Sequence, residues 1–125
     1  MAARRETTAV SAPRLSPAAP EELLRKAILA RSPAARGRWA RRGLAARSSL
    51  DKTTHAMLLR QLYLAHYELR RFERAQQIAI QALEVGVLVD VLHQDVARAS
   101  LARGDVDRAV THLRLASRRG PASRR

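Results

Sequence analysis

Apolar and small residues recur every three or four positions along almost all of the chain after residue 20. This spacing predicts amphipathic α-helices, because it places the apolar side chains on one face of each helix. Six helices are predicted, the first beginning at Pro20 and the others covering about 33–47, 53–69, 72–84, 90–103 and 106–118. No segment shows sustained alternation of period two, so we expect no strands. Helices of this length joined by short turns predict three antiparallel hairpins.

The predicted helix ends carry capping signals. Proline suits the first helical position, aspartate and serine accept hydrogen bonds from the first turn, and glycine suits the left-handed residue that ends a helix. The start signals are Pro20, the pair Ser32-Pro33, the break Leu50-Asp51-Lys52-Thr53, Asp90 and Asp105, and the stop signals are Gly86, Gly104 and the closing pair Gly120-Pro121.

The apolar stripes also predict which side chains face inward. They are Leu23, Leu24, Ala27, Ile28 and Ala30 in the first helix; Leu58, Leu59, Leu62, Ala65 and Leu69 in the third; Phe72, Ala75, Ile78, Ala79, Ala82 and Leu83 in the fourth; and Val106, Ala109, Val110 and Leu113 in the sixth.

A shift of 34 residues superposes the last two hairpins on each other. It places Ala75 on Ala109 and Leu58 on Leu92, at small and apolar positions where two helices must touch. Thirty-four residues is the period of the tetratricopeptide repeat, and the segment RFERAQQIAIQAL resembles the second helix of that family's hairpin. Arg70 departs from the family's turn glycine, a position that Gly104 fills in the last hairpin.

The resemblance implies an all-α fold in which antiparallel helical hairpins stack as a short right-handed solenoid. Its divisions are a disordered tail over 1–19, a degenerate N-terminal hairpin over 20–52, one repeat over 53–89, and a second over 90–123 with a short basic C-terminal tail. In the first hairpin Trp39 aligns with Ala75 at a shift of 36, so a large residue is expected at a small position.

The net charge of +13 lies mainly outside the centre of the chain, because residues 20–52 carry +6 and 90–125 carry +4, whereas 53–89 carry only +1. A strongly basic surface attracts acidic partners of many kinds. Prolines at positions 13, 17 and 20 favour a disordered tail over an organelle transit peptide, which the tail faintly resembles. With no apolar run of about 18 residues, we expect no membrane contact and a cytoplasmic location.

Catalytic, metal and cofactor sites are not expected. The chain has no cysteine, and its closest histidines, His55 and His66, are 11 residues apart, so no single helix presents two on one face. Asp105 and Asp107 are the nearest approach to a carboxylate pair, and a capping role explains them more simply. The sequence therefore favours a protein that is not an enzyme.

In the tetratricopeptide family the first helix of each hairpin lines a concave groove that binds another protein or peptide. The resemblance assigns this role to Met57, Arg60, Leu64, Tyr67, Val91, Gln94, Arg98 and Leu101. Their apolar and guanidinium groups suit an acidic or amphipathic partner segment. The chain contains no asparagine, so the family's asparagine-and-lysine clamp for a C-terminal carboxylate is not expected.

The sequence leaves several functions open. The preferred one is a protein-interaction module, acting as an adaptor or assembly subunit. Arg38, Arg41 and Arg42 share one face of the second helix and form a candidate anion-binding face, so a basic protein associated with nucleic acid is the alternative. The chain is also interpretable as part of a longer tetratricopeptide array. Apolar groove residues and Leu115 predict a surface that a second copy or another chain covers.

Overall fold

The computed structural model describes residues 19–46 and 50–119, without the side chains of residues 118 and 119. Six α-helices account for its regular structure: α1 Pro20–Leu29, α2 Pro33–Leu44, α3 Lys52–Glu68, α4 Phe72–Glu84, α5 Val89–Ala102 and α6 Val106–Arg119. The expectation of six helices and no strands is confirmed over these ranges. The predicted tail, apart from Ala19, and the predicted closing residues Gly120 and Pro121 lie outside the described residues.

Side-chain capping explains three of the six helix starts within the described residues. The Ser32 side chain accepts a hydrogen bond from the Ala35 amide at 3.1 Å, and the Asp51 carboxylate accepts one from the Thr54 amide at 2.7 Å. Asp105 does the same for the Arg108 amide at 3.3 Å. These bonds satisfy amide groups that have no partner inside the first helical turn.

The predicted N-cap at Asp90 is wrong. Helix α5 begins at Val89, its N-cap residue is Leu88 in the left-handed region with φ of 54°, and Asp90 lies in the first turn. An acidic side chain still interacts favourably there with the positive end of the helix dipole. The second helix also ends earlier than predicted, at Leu44.

Each helix packs against the next one along the chain, and α1 also contacts α3. The shared core is built from small and apolar side chains, with Tyr63 as its largest fully buried member. Ala75 and Ala109 have no exposed surface, as their repeat positions predict. The absence of a larger side chain at these positions lets the helix backbones approach closely.

In the first hairpin the predicted alignment of Trp39 with Ala75 is wrong. Ala40 is fully buried, whereas Trp39 is only partly buried and packs at the edge of the core. The small residue of this hairpin is therefore Ala40, which aligns with Ala75 at a shift of 35. The same shift places Leu24 of α1 on Leu59 of α3. Gly43 is also buried, and a Cβ atom added to it would lie 2.7 Å from Leu58 Cδ2.

Several residues predicted to face inward are exposed. Ile28 in α1 is 46% exposed and Leu69, just after α3, is 39% exposed. In α6 the outward residues are Val106, Val110 and Leu113, at 56%, 39% and 46% exposure, whereas Ala109 and Ala116 face inward. Helix α6 therefore packs on α5 through small residues and leaves its larger apolar stripe uncovered. None of the helices within the described ranges is long and apolar enough to cross a membrane.

Candidate interaction groove and basic pocket

The eight predicted groove residues lie on α3 and α5, and the two helices present them differently. Those on α3, namely Met57, Arg60, Leu64 and Tyr67, are half-buried, and Leu64 and Tyr67 pack against the core. Those on α5, namely Val91, Gln94, Arg98 and Leu101, are exposed. Helix α3 packs against α1, α2 and α4, whereas α5 packs against α4 and α6.

Arg60, Asp95 and Arg98 join the two helices in an ion cluster that the sequence interpretation missed. Arg60 donates from Nε to Asp95 Oδ2 at 2.7 Å and from Nη2 to Oδ1 at 3.3 Å. Arg98, one turn along α5, lies 3.6 Å from Asp95 Oδ1. The Asp95 side chain is 1% exposed, so this carboxylate is buried between its partners. Two groove arginines are thus partly neutralised within the chain.

The negative charge of Asp95 also affects the pKa of Tyr63, which is fully buried. Burial raises the pKa of the Tyr63 phenol to about 12, and the nearby negative charge of Asp95 acts in the same direction. Both effects disfavour the phenolate, because it would be a second anion in a poorly solvated site. Tyr63 is therefore a neutral packing residue behind the groove, and Tyr67 lies against its ring at 5.8 Å between centroids.

A second polar network lies where α4 packs on α5. Gln76 donates to the Ser100 hydroxyl at 2.8 Å, Ser100 donates to the Val96 carbonyl at 2.7 Å, and Arg103 donates to the Gln76 side-chain oxygen. Gln76 and Ser100 are almost completely buried. The network satisfies buried polar groups between hairpins, so we regard it as structural.

The predicted anion-binding face on α2 divides into two parts. Arg42 lies over the Trp39 ring, at 5.2 Å from its centroid, while Lys26 of α1 lies 4.7 Å from the same ring. Arg38 and Arg41 instead line a cavity of about 260 Å³ between α2 and the turn that joins α3 to α4. Arg71, which sequence reasoning did not include, is a third arginine in the lining of that cavity.

We call this cavity the basic pocket. Its lining residues are Pro33, Ala34, Gly37, Arg38, Arg41, Ala65, His66, Leu69 and Arg71. The lining contains no carboxylate. The acidic residue of α3 is Glu68, and its carboxylate lies 4.0 Å from Nε of Arg36, an arginine outside the lining.

The pKa of His66 reflects the positive charge of the basic pocket. Its Nδ1 atom is buried and has no hydrogen-bond partner among the described residues. Burial lowers the pKa of His66, and the positive charges of Arg71, Arg74 and Arg41 lower it further. Burial and the positive local potential therefore both favour the neutral form of this imidazole.

The four histidines include one close pair. His93 on α5 and His112 on α6 place their Nδ1 atoms 2.8 Å apart, close enough for one ring to donate a hydrogen bond to the other. Sequence reasoning considered only histidines on one helix, whereas an antiparallel hairpin that turns at Gly104 brings these two positions together. No group of three or more metal-ligating side chains occurs within residues 19–46 and 50–119.

The comparisons with known proteins leave the family of the chain open. No protein-family model matches it, and no curated protein or solved structure is significantly similar to it.

Proposed function

We propose that this chain is a protein-interaction module whose three hairpins stack as a short right-handed solenoid of the tetratricopeptide type. The contacts between successive helices and between α1 and α3 support this arrangement. So do the equivalent burial of Ala40, Ala75 and Ala109 and the ion cluster that links α3 to α5. In such a stack α1, α3 and α5 line one surface, and a partner segment binds along it.

The observation that carries this proposal is the uncovered apolar surface of α5. Val91 is 40% exposed and Leu101 is 54% exposed, and both flank the exposed Arg98. The neighbouring α3 surface adds the half-buried Leu64 and Tyr67. Burying such side chains favours association by about 25 cal/mol for each Å² of apolar surface removed from water.

The ion cluster limits how much acidic charge we expect on the partner segment. Asp95 neutralises one of the two groove arginines, so the cluster carries a single net positive charge. An amphipathic segment, with apolar side chains against Val91 and Leu101 and one acidic group near Arg98, fits this surface better than a highly acidic segment. The half-exposed Arg98 retains donors for that acidic group.

The uncovered stripe on α6 supports an alternative protein contact. Val106, Val110 and Leu113 lie one turn apart on the outer side of the last hairpin. A further hairpin of a longer array, or a second copy of the chain, would bury this stripe. The proposed groove contact and this end contact use different helices, so one experiment separates them.

Affinity capture from nuclease-treated extracts of cells that naturally express the chain tests the proposal. The wild type is compared with Leu101→Asp in the groove and Leu113→Asp on α6, two leucines of similar exposure. We expect Leu101→Asp to lose a partner that Leu113→Asp retains. The reverse pattern would assign the contact to the end of the stack. Capture unaffected by either variant, or capture that disappears with nuclease treatment, would contradict the proposal.

A further inference from the structure

The basic pocket concentrates positive charge in a concave site. Arg38 and Arg41 come from α2, and Arg71 comes from the turn before α4, so three arginines line the cavity from two elements. Within residues 19–46 and 50–119, none of these three side chains forms an ion pair with a carboxylate. No carboxylate of the described residues therefore competes with a bound anion for these donors.

Glycine at position 37 shapes the floor of this pocket. A Cβ atom added to Gly37 would lie 3.5 Å from Arg41 Nη1 and 3.5 Å from the Ala65 Cβ atom. The Arg41 guanidinium therefore lies back over its own helix and close to α3. Pro33, Ala34 and Leu69 complete an apolar wall beside the charged groups.

We propose that the basic pocket binds the phosphate group of a small phosphate monoester, with the organic part of that ligand against the apolar wall. Arginine presents paired donors that match phosphate oxygens, and the three positive charges more than offset the charge of a dianion. The volume of about 260 Å³ admits a compact ligand. The lining of this site shares no residue with the proposed partner groove on α3 and α5.

Nucleic acid is the less favoured ligand for this pocket. A nucleic-acid backbone carries one charge per phosphate and needs cations spread along its path, together with exposed aromatic rings for unpaired bases. Here three arginines line one cavity, and Trp39 is half-buried with Lys26 and Arg42 close to its ring.

His66 supplies an internal reporter of binding. Its imidazole lines the pocket, and Arg41 and Arg71 disfavour its protonation. A bound dianion would offset these positive charges, so the pKa of His66 should rise when the pocket is filled. This response depends on occupancy at the pocket itself and is independent of any catalytic readout.

The test is an NMR titration of the full chain with phenyl phosphate, inorganic phosphate and sodium chloride at matched ionic strength, following the His66 imidazole signals. We expect saturable binding of phenyl phosphate, weaker binding of inorganic phosphate, and no saturable response to chloride. Arg41→Gln and Arg71→Gln should each weaken phenyl phosphate binding about tenfold or more, since each removes charge-assisted hydrogen bonds. Arg42→Gln, with the same change of charge on the same helix, should bind like the wild type.

Circular dichroism confirms that each variant is folded, and Arg41→Lys, which keeps the charge, replaces Arg41→Gln if the latter unfolds. A response to phosphate no stronger than to chloride, or equal losses in Arg42→Gln and Arg41→Gln, would overturn the site. Inorganic phosphate binding as tightly as the monoester would overturn the role of the apolar wall. Tighter binding of a short single-stranded RNA, lost in the same two variants, would reassign the pocket to nucleic acid.

Discussion

Arg70 and Gly104 occupy equivalent positions in two successive hairpin turns and share a left-handed backbone, with φ of 62° and 83° respectively. The hydrogen bonds around them also correspond: the Arg71 amide donates to the His66 carbonyl at 2.8 Å, and the Asp105 amide donates to the Ser100 carbonyl at 2.7 Å. The 34-residue shift found in the sequence is thus reproduced in backbone geometry. Only glycine adopts this conformation without a steric penalty.

Arg70→Gly should therefore stabilise the protein by about 0.5–1 kcal/mol, because it removes a left-handed non-glycine residue. The gain is reduced by loss of the Arg70 contact with the Phe72 ring, where the guanidinium lies 5.3 Å from the centroid. Urea unfolding followed by circular dichroism measures the change.

Gly104→Ala is the converse test. No atom lies within 4 Å of a Cβ added at Gly104, so any effect comes from the backbone alone. We expect a loss of about 1 kcal/mol. Stabilisation by Gly104→Ala, or destabilisation by Arg70→Gly, would contradict the equivalence of the two turns.

The sequence predicts the helices well because their ends are determined locally. Ser32, Asp51 and Asp105 each accept a hydrogen bond from an amide three residues later, a relationship readable without tertiary structure. The error at Asp90 has a local cause as well. The left-handed Leu88 begins α5 without a capping side chain, and no sequence rule favours leucine in that conformation.

The candidate sites are less predictable because they depend on tertiary contacts. The Arg60–Asp95 pair joins residues 35 positions apart, and Arg71 meets Arg38 and Arg41 only because the α3–α4 turn packs against α2. Helix α6 shows a further difficulty. It has a stripe of large apolar residues and a stripe of alanines, and the alanines are buried because they allow close packing on α5.

Two glycines in α2 should respond oppositely to substitution by alanine. At Gly37 an added Cβ meets neighbours at ordinary contact distances of 3.5 Å, so the higher helix propensity of alanine should stabilise the protein by about 0.5–1 kcal/mol. At Gly43 the added Cβ would lie 2.7 Å from Leu58 Cδ2, and Leu58 is fully buried. Overpacking there should exceed the propensity gain, for a net loss of about 1 kcal/mol.

Thermal unfolding of the two variants side by side measures this difference, and each serves as the control for the other. Equal stabilisation in both would show that Leu58 relaxes without cost, and it would contradict close packing of α2 on α3.

Asp95→Asn should destabilise the chain by about 1–3 kcal/mol, because the buried site loses its charge-assisted hydrogen bonds with Arg60. Asp107→Asn, an exposed substitution in the first turn of α6, is the control and should cost less than 1 kcal/mol. A double-mutant cycle with Arg60→Gln should show coupling, since Arg60 donates to Asp95 at 2.7 Å. Additive effects of the two substitutions would show that the pair contributes little.

The histidine contacts predict that stability falls in mild acid. The pKa of His112 is lowered by burial and by the charges of His93 and Arg108, and that of His66 is lowered by burial and nearby arginines. Both groups therefore bind protons less readily in the folded chain than in the unfolded chain, where their pKa has its ordinary value of 6.5. By linkage, the stability from their neutral forms is fully present above pH 6.5 and is lost as the pH falls below it.

The hydrogen bond between His93 and His112 adds a geometric reason. It requires one Nδ1 atom to donate and the other to accept, and double protonation leaves two donors 2.8 Å apart. We expect the thermal midpoint to decrease as the pH is lowered from 8 to 5.5, a range in which ordinary carboxylates stay ionised. His112→Gln and His66→Gln should each reduce this slope, and the double variant should reduce it most, because the two imidazoles lie in separate contacts. A slope unchanged in the double variant would show that neither histidine controls the acid response.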